Sequence, residues 1–278
     1  MSDIVLSAGV RTNLLQLQQT SDLITRTQTR LATGKRVNSA LDNAINFFTA
    51  QGLDNRANDL SGLLDSMSNA INTIQAADNG ITGITKLVQS AQSLVSQANQ
   101  TSDTTVRATL ATQFDALLTQ IGQLAGDSGF NGVNLLGGNT LTVNFNETGT
   151  SNTSVTGVNY TNANATPLSI NNATTGAGSN NWGSSADISL SSGQLTAALT
   201  SLRAESQTLS ASLSTVQIRQ DFTKATINTL QTGSAALTLA DSNEEGANLL
   251  ALQTRQQLST TALSLAAQAD QNVLRLFR

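Results

Sequence analysis

Apolar residues recur along most of this chain at intervals of three and four, the spacing that gathers them on one face of a helix. The first stretch has aliphatic residues at steps of seven: Val10, Leu17, Ile24 and Leu31. Leu14 lies on the companion position of the same coiled-coil seam. The pattern predicts a helix over residues 5–32, ended by Gly34, because Gly is the usual residue just beyond a helix C terminus.

The longest repeat runs from residue 42 to residue 97. One heptad position there is apolar six times in succession, at Leu60, Met67, Ile74, Ile81, Val88 and Val95. At about 1.5 Å per residue, this region predicts a rod-like helix about 80 Å long. Ser39 and Asp42, in the link before the rod, are candidate N-caps. An apolar stripe of this length requires helical partners.

Two further segments can supply those partners. One helix is predicted over residues 104–125, and a second long helix is predicted over residues 192–236. Each carries a repeating apolar face; the residues that form these faces are Val106, Leu110, Phe114, Leu117, Ile121 and Leu124 in the first, and Leu195, Leu202, Leu209, Val216 and Leu230 in the second. With the rod, these helices could close a helical bundle.

The last stretch, residues 249–278, carries two apolar seams and therefore two faces to bury. The first consists of Leu258, Ala262, Leu265, Ala269 and Leu276, and the second of Leu252, Leu263, Ala266, Val273 and Phe277. Chain termini normally fray unless something packs on them. Either another part of the chain or other copies of it must cover this helix.

Between residues 139 and 189 the composition changes to Asn, Thr, Ser and Gly. Leu141, Val143 and Phe145 alternate as in a half-buried strand. Further short strands are predicted around Val155, Val158, Ile170, Ile188 and Leu190. The single Trp, Trp182, is interpreted as local packing. The fold expected is mainly α: long antiparallel helical rods formed by the N- and C-terminal regions, with a small β-rich central insert.

Composition narrows the possible chemistry. The chain has no Cys and no His, so it lacks disulfides, thiolate metal sites and the commonest general base. We therefore expect no enzyme, no cofactor and no metal site. A formal net charge of −4 without a basic stripe argues against nucleic-acid binding. Neither a cleavable signal peptide nor a membrane-spanning apolar run is recognisable.

Three motifs carry a resemblance to a known family. They read TRLATGKRVNSALDNA over 29–44, SGFNGVNLLGG over 128–138, and TLADSNEEGANLLALQTRQQLSTTALSLAAQADQNVLRLFR over 238–278. In these motifs and in the order of its helices the chain resembles the bacterial flagellins, with a short central insert of the alphaproteobacterial type. The resemblance implies a subunit that polymerises into the extracellular flagellar filament for motility.

The resemblance also implies a layered organisation and a set of partners. Residues 1–40 with 242–278 would form the inner filament core, 41–138 with 190–241 the rod layer, and 139–189 the outer module. The expected partners are other copies or paralogous flagellins, hook-filament junction and cap proteins, and the export chaperone and apparatus. Export would proceed without a cleaved signal, and membrane insertion is not expected.

Ten apolar residues of the terminal helices are predicted to form the polymerisation interface. They are Leu14, Leu17, Ile24, Leu31, Leu252, Leu263, Leu265, Val273, Leu276 and Phe277. The resemblance also identifies a candidate region for contact with Toll-like receptor 5, comprising Gln89, Ser90, Gln92 and Leu94. Ser90 and Gln92 stand where the family typically has Arg, so weak receptor activation is expected.

Three other functions share some of these features. A hook-filament junction protein would share the terminal helices but cap a boundary without polymerising indefinitely. A flagellin carrying a zinc protease in its insert would need a His-Glu-x-x-His motif, which a chain without His cannot have. A chemoreceptor signalling hairpin would share the polar heptads but needs a transmembrane segment and a Glu-rich tip.

Overall fold

The computed structural model describes residues 8–176 and 180–276, with side chains at all of these positions except 270 and 273–276. Within these ranges the fold is mainly α, as the sequence predicts. The elements are α1 (Ala8–Thr33), α2 (Ala44–Gln100), α3 (Thr104–Asp127), β1 (Thr140–Asn144), β2 (Asn152–Thr156), α4 (Ser185–Thr238) and α5 (Ser242–Leu276). A short 3-10 turn at Asn180–Trp182 precedes α4.

The helix ends follow local capping chemistry. Gly34 ends α1 in the left-handed region, with φ of 67°, as the sequence predicts. The predicted N-caps of α2 are wrong, because Asn43 takes that role and its Oδ1 accepts a hydrogen bond from the Asn46 amide at 3.0 Å. Asp42 Oδ2 instead accepts from the amides of Asn38 and Ser39, each at 3.0 Å, and closes the link as a tight turn.

The chain divides into two compact units. The first contains Met1–Ala57 with Asn228–Arg278, and the second contains Asn58–Ile227. The insert belongs to the same compact unit as most of α2 and α4. The three-layer division expected from the sequence concerns the assembled filament and stays a prediction.

The second unit contains the main core. The six residues of the long heptad repeat are all buried there, with at most 5% of any side chain exposed: Leu60, Met67, Ile74, Ile81, Val88 and Val95. All of them except Leu60 pack in one cluster with Phe114 and Ile121 of α3 and with Leu202 and Leu209 of α4, which are fully buried. Burial of each such side chain stabilises the fold by roughly 1.5 to 3 kcal/mol before entropy is subtracted.

The insert forms one hairpin. Strand β1 pairs antiparallel with β2, from Thr140 opposite Thr156 to Asn144 opposite Asn152, and this confirms the strand predicted around Val143. Strand β2 likewise confirms the strand predicted around Val155, whereas the strands predicted around Val158, Ile170, Ile188 and Leu190 are wrong. Val158 and Ile170 lie in irregular segments, and Ile188 belongs to α4 together with Leu190.

Helix α4 begins seven residues before the predicted start because a capping box fixes its N terminus. The Ser184 amide donates to Asp187 Oδ2 at 2.9 Å, and the Asp187 amide donates to Ser184 Oγ at 3.3 Å. The residues just after this box alternate between apolar and polar, and they therefore belong to the helix and not to a strand.

Two contacts fasten the insert to helix α3. Trp182 is fully buried with its ring centroid 5.1 Å from that of Phe114, and its Nε1 donates to Ser191 Oγ at 2.9 Å. This confirms the interpretation of Trp182 as local packing. Asp115 accepts from the Ala173 amide at 2.6 Å and from both the amide and the hydroxyl of Thr174. The carboxylate therefore holds the loop at three points.

Candidate assembly interface

Helices α1 and α5 pack against each other in antiparallel directions within the first unit. Backbone hydrogen bonds join the segments that connect them to the rest of the chain: the Arg36 amide donates to the Thr238 carbonyl at 2.7 Å, and the Ala240 amide donates to the Gly34 carbonyl at 3.0 Å. These bonds place the C-terminal end of α1 beside the N-terminal end of α5.

Few side chains of the α1–α5 pair are buried. The buried side chains of α1 are Val10, Thr20, Ile24 and Thr27, of which two are polar. Glu245 is buried near the start of α5, and none of the later α5 side chains that the structure describes is buried. Two helices of this length therefore meet with little apolar surface removed from water.

The predicted interface residues whose side chains the structure describes fall into three groups. Ile24 is buried, with 9% of its side chain exposed, so it packs inside the helix pair. Leu14 and Leu265 are exposed by 38% and 62%. The residues of intermediate burial are Leu17, Leu31, Leu252 and Leu263. The side chains of Val273 and Leu276, and all of Phe277, lie outside what the structure describes.

Sequence reasoning missed other exposed apolar residues on the same helices. Leu15 is exposed by 57%, Leu23 by 40% and Leu250 by 67%. They stand beside the heptad seams, and a search for steps of three and four along one seam passes over them. Leu258, which the seam analysis includes, is exposed by 67%. Large apolar side chains therefore lie uncovered along both helices.

Exposed apolar side chains also lie just before α2 and in its first turns. Leu41, in the link, is exposed by 98%, and Ile45 and Phe48 in α2 are exposed by 79% and 60%. Their spacing of three puts Ile45 and Phe48 on one face of the helix. Phe47 meets Phe48 edge to face, with ring centroids 5.5 Å apart. The link motif over 29–44 contains Leu41, and Ile45, Phe47 and Phe48 follow directly after it; the heptad search begins its apolar series at Leu60 and does not include them.

The candidate receptor region lies on α2. Gln89 and Ser90 are exposed, whereas Gln92 and Leu94 are of intermediate burial. The Ser90 hydroxyl donates to the Lys86 carbonyl of its own helix at 3.1 Å. This surface presents no guanidinium at Ser90 or Gln92.

The Asp42 carboxylate in the link is held by backbone donors. The amides of Asn38 and Ser39 lower the pKa of Asp42 below its ordinary value.

In the part of the chain with described side chains, no group of three or more His, Cys, Asp or Glu side chains lies close enough together to hold a metal ion. The helices described are too short or too polar to cross a membrane.

Comparison with known proteins identifies the family of this chain. Residues 8–140 match the bacterial flagellin N-terminal helical region, and residues 189–277 match the bacterial flagellin C-terminal helical region. Flagellin FljM of Caulobacter vibrioides is 31% identical over 281 residues, covering 100% of this chain and 99% of the relative. A flagellin of Brucella melitensis is 27% identical over 292 residues and covers both chains completely.

The two matched regions contain the whole α1–α5 pair, together with nearly all of the long helices. The unmatched segment is the polar insert. A helical pair with uncovered apolar faces, carried by these regions, suits a protein that packs against its own copies, and none of these observations favours a junction protein. The chain therefore belongs to the bacterial flagellin family, and it is a structural subunit of the bacterial flagellar filament.

Proposed function

We propose that this flagellin assembles by coupled folding and association of α1 and α5, which complete their burial only against the same helices of neighbouring copies. The observation that carries this proposal is the sparse burial of the pair: no described side chain of α5 after Glu245 is buried. Helices without a packed face are marginal in water.

The exposed leucines supply the driving force for association. Burial of one leucine contributes roughly 1.5 to 3 kcal/mol, so Leu258 and Leu265 together offset part of the cost of ordering α5. Contacts between different faces of identical subunits do not close into a ring when the rotation between subunits is open, and they generate a helical filament instead. The predicted interface residues named above, including Val273, Leu276 and Phe277, take part in this packing.

Export and the remaining partners follow from the same mechanism. A chain whose terminal helices fold late can pass through a narrow export channel unfolded, and the absence of Cys means that no disulfide opposes threading. We expect secretion through the flagellar type III route without cleavage of a signal peptide. The expected partners besides other copies are the export chaperone, the hook-filament junction proteins and the cap protein. A catalytic role is not expected.

Truncation tests the proposed function. Deletion of residues 259–278 should abolish filament growth from short seeds, observed by negative-stain electron microscopy, while fluorescence of the single Trp182 in the second unit stays native. The control is the full chain, which should form long uniform filaments. Normal filaments from the truncated chain would contradict the proposal, and soluble monomers or short caps from the full chain would favour a junction protein instead.

A second proposal concerns the receptor region on α2. A neutral surface at Ser90 and Gln92 lacks the charge-assisted donors that Arg would supply, so activation of Toll-like receptor 5 should be weak. A reporter-cell assay should give low potency, and the variant carrying both Ser90→Arg and Gln92→Arg should be more potent. Full potency of the unchanged chain would contradict this proposal.

A further inference from the structure

The chain contains two Asn-Gly pairs, and the second unit holds them in opposite environments. Asn79 and Gly80 lie inside helix α2, where Gly80 is buried. Asn131 and Gly132 lie between α3 and β1, and both are exposed. In an Asn-Gly pair the amide nitrogen of the glycine can attack the preceding carboxamide with little hindrance, because Gly has no Cβ. A difference in reactivity between the two pairs must come from the fold.

The exposed pair forms the two central residues of a tight turn. The Phe130 amide donates to the Val133 carbonyl at 2.9 Å, and the Val133 amide donates to the Phe130 carbonyl at 3.0 Å. Asn131 and Gly132 have φ of 48° and 80°. Positive φ at both central residues characterises a type I′ turn. The two hydrogen bonds hold the ends of the turn and leave its central peptide group unrestrained.

The groups that would react have no protein partner. Among the residues that the structure describes, neither the Gly132 amide nor the Asn131 carboxamide forms a hydrogen bond. A Cβ built on Gly132 would meet nothing within 4 Å. The central peptide therefore has room to rotate.

The pair in α2 has neither freedom. A helical amide at this depth in α2 donates to the carbonyl four residues before it, so the Gly80 nitrogen is engaged. A Cβ on Gly80 would collide with the side chains of Ser128 and Leu136. Attack by the Gly80 nitrogen would require the helix to open against these neighbours.

One rotation brings the exposed pair into a reactive arrangement. Turning the planar peptide between Asn131 and Gly132 by about half a turn converts type I′ into type II′ and keeps both ends of the turn in place. In type II′ the ψ of Asn131 is about −120° and the φ of Gly132 is about −80°. That ψ directs the Gly132 nitrogen toward Asn131 Cγ, as a five-membered ring requires. Gly accepts either sign of φ, whereas Asn seldom adopts the type II′ position, so the reactive state is the minor one.

We infer that Asn131 is a site of spontaneous modification, where attack of the Gly132 amide nitrogen on Asn131 Cγ leads to Asp and isoAsp. The attacking nitrogen loses its proton, the new C–N bond closes a succinimide, and the carboxamide nitrogen leaves as ammonia. Water then adds to one of the two imide carbonyls and breaks its C–N bond. The net change consumes one water and releases one ammonia, and neither an oxidant nor a reductant takes part.

The two products affect the turn differently. Both add one negative charge at an exposed position. Asp keeps the length of the main chain and tolerates positive φ, whereas isoAsp lengthens by one methylene a two-residue loop that Phe130 and Val133 close. The inference goes beyond the proposed function, because the reaction needs one folded chain and no neighbouring copy.

Peptide mass spectrometry of the purified full chain tests this site. In folded chain incubated below its unfolding temperature, Asp and isoAsp should accumulate at residue 131 at least about tenfold faster than at residue 79, a difference of about 1.4 kcal/mol in the barrier. In urea the two sites should react at similar rates, because both lose their structure. Incubation in heavy-oxygen water marks the new carboxylates and separates them from products formed during digestion.

Hydroxylamine supplies an independent measurement, because it attacks the imide and cuts the chain at that point. Folded chain should be cut between residues 131 and 132 and not between residues 79 and 80. Asn131→Gln should abolish the cut, since the longer side chain does not form the five-membered ring. Asn79→Gln is the matched control and should leave the cut unchanged. Native Trp182 fluorescence verifies that both variants are folded.

The outcomes separate this inference from the proposed function. Equal rates at residues 79 and 131 in the folded chain, or no product at residue 131, would overturn the inference. A cut that persists in Asn131→Gln would do the same. Filament growth is measured separately, so a chain that forms no filaments would contradict the proposed function and leave the modification at Asn131 standing.

Discussion

Arg30 Nη1 lies 2.8 Å from Glu245 Oε1, and this ion pair joins the end of α1 to the start of α5 across 215 residues of sequence. The carboxylate is the more buried partner, with 8% of its side chain exposed against 27% for the arginine. Loss of the arginine would therefore leave a buried charge without compensation. The pair fixes where the two terminal helices begin to contact each other.

Replacement of Arg30 should weaken assembly. Arg30→Leu removes the donor to a nine-tenths buried carboxylate, and hydrogen bonds to charged groups contribute about 1.5 to 3 kcal/mol. The critical concentration for polymerisation should rise roughly 10- to 100-fold. Arg11→Leu, on the exposed face of the same helix, is the matched control. Equal assembly of the two variants would show that the ion pair does not support the helix pair.

An exposed leucine of α5 should matter only in the filament. Leu265→Gln should leave the unfolding of the monomer unchanged within about 0.5 kcal/mol, because the side chain is already in water. It should raise the critical concentration at least about tenfold, since burial of a leucine is lost on association. Leu190→Gln, 42% exposed on α4, is the control. A similar effect from both variants would remove Leu265 from the interface.

Asn134 should be essential to the fold of the second unit. Its Nδ2 donates to the carbonyls of Ala125 and Gly126 at 2.8 and 2.9 Å, and its Oδ1 accepts from the Leu136 amide at 2.9 Å. Asn134→Asp replaces both donors with an anionic oxygen that faces two carbonyls. We expect the free energy of unfolding to fall by about 2 to 3 kcal/mol, measured by Trp182 fluorescence in urea.

The neighbouring Asn131 provides the control for that variant. Asn131 and Gly132 have φ of 48° and 80° in a two-residue turn between Phe130 and Val133. Asp tolerates this left-handed conformation nearly as well as Asn does, so Asn131→Asp should change stability by less than about 0.5 kcal/mol. A loss as large as that of Asn134→Asp would mean that added charge, and not the lost donors, destabilises the region.

Alkaline pH should destabilise the second unit through Tyr160. Burial, and secondarily the charge of Glu205, raises the pKa of Tyr160 above its ordinary value of about 10. Between that value and the raised one, the unfolded chain ionises while the folded chain does not. Stability is therefore unaffected by Tyr160 below about pH 10 and falls as pH rises above it, by up to about 1.4 kcal/mol per pH unit.

The chain has one Tyr, so the absorbance of tyrosinate reports this group directly. Its titration should be displaced to high pH in the folded chain and should coincide with loss of native Trp182 fluorescence. Tyr160→Phe should abolish that step in the pH dependence of unfolding. A titration at the ordinary pKa in the folded chain would contradict the burial of Tyr160.

Sequence periodicity predicts the helices correctly but does not predict the paths of the loops. The heptad series through Met67 and Ile74 predicts α2 because a buried face repeats with the helical period whatever its partners are. The path of the insert depends instead on Asp115 and Asn134. Their side chains form hydrogen bonds with backbone groups, and such bonds produce no repeating pattern in the sequence. The start of α4 was predictable from Ser184 and Asp187, but the alternation of Ile188 and Leu190 favoured strands.

In the candidate interface, too, the sequence predicts the helices but not which of their residues are buried. The two positions of the coiled-coil seam include both Ile24, which the helix pair already buries, and Leu14, which it leaves exposed. Which seam residues face the partner helix depends on the geometry of the α1–α5 contact, and the sequence does not encode that as a period. The exposure of Leu15 and Leu250 follows from that contact and is not predictable from the spacing of apolar residues.

The central claim is that α1 and α5 complete their folding on assembly, and amide hydrogen exchange tests it most directly. Exchange over residues 246–269 should be fast in the monomer and at least about 100-fold slower in seeded filaments, while the buried part of α2 around Ile74 should be protected in both. Equal, strong protection of residues 246–269 in monomer and filament would contradict the claim, because the helix pair would then be fully stable without neighbours.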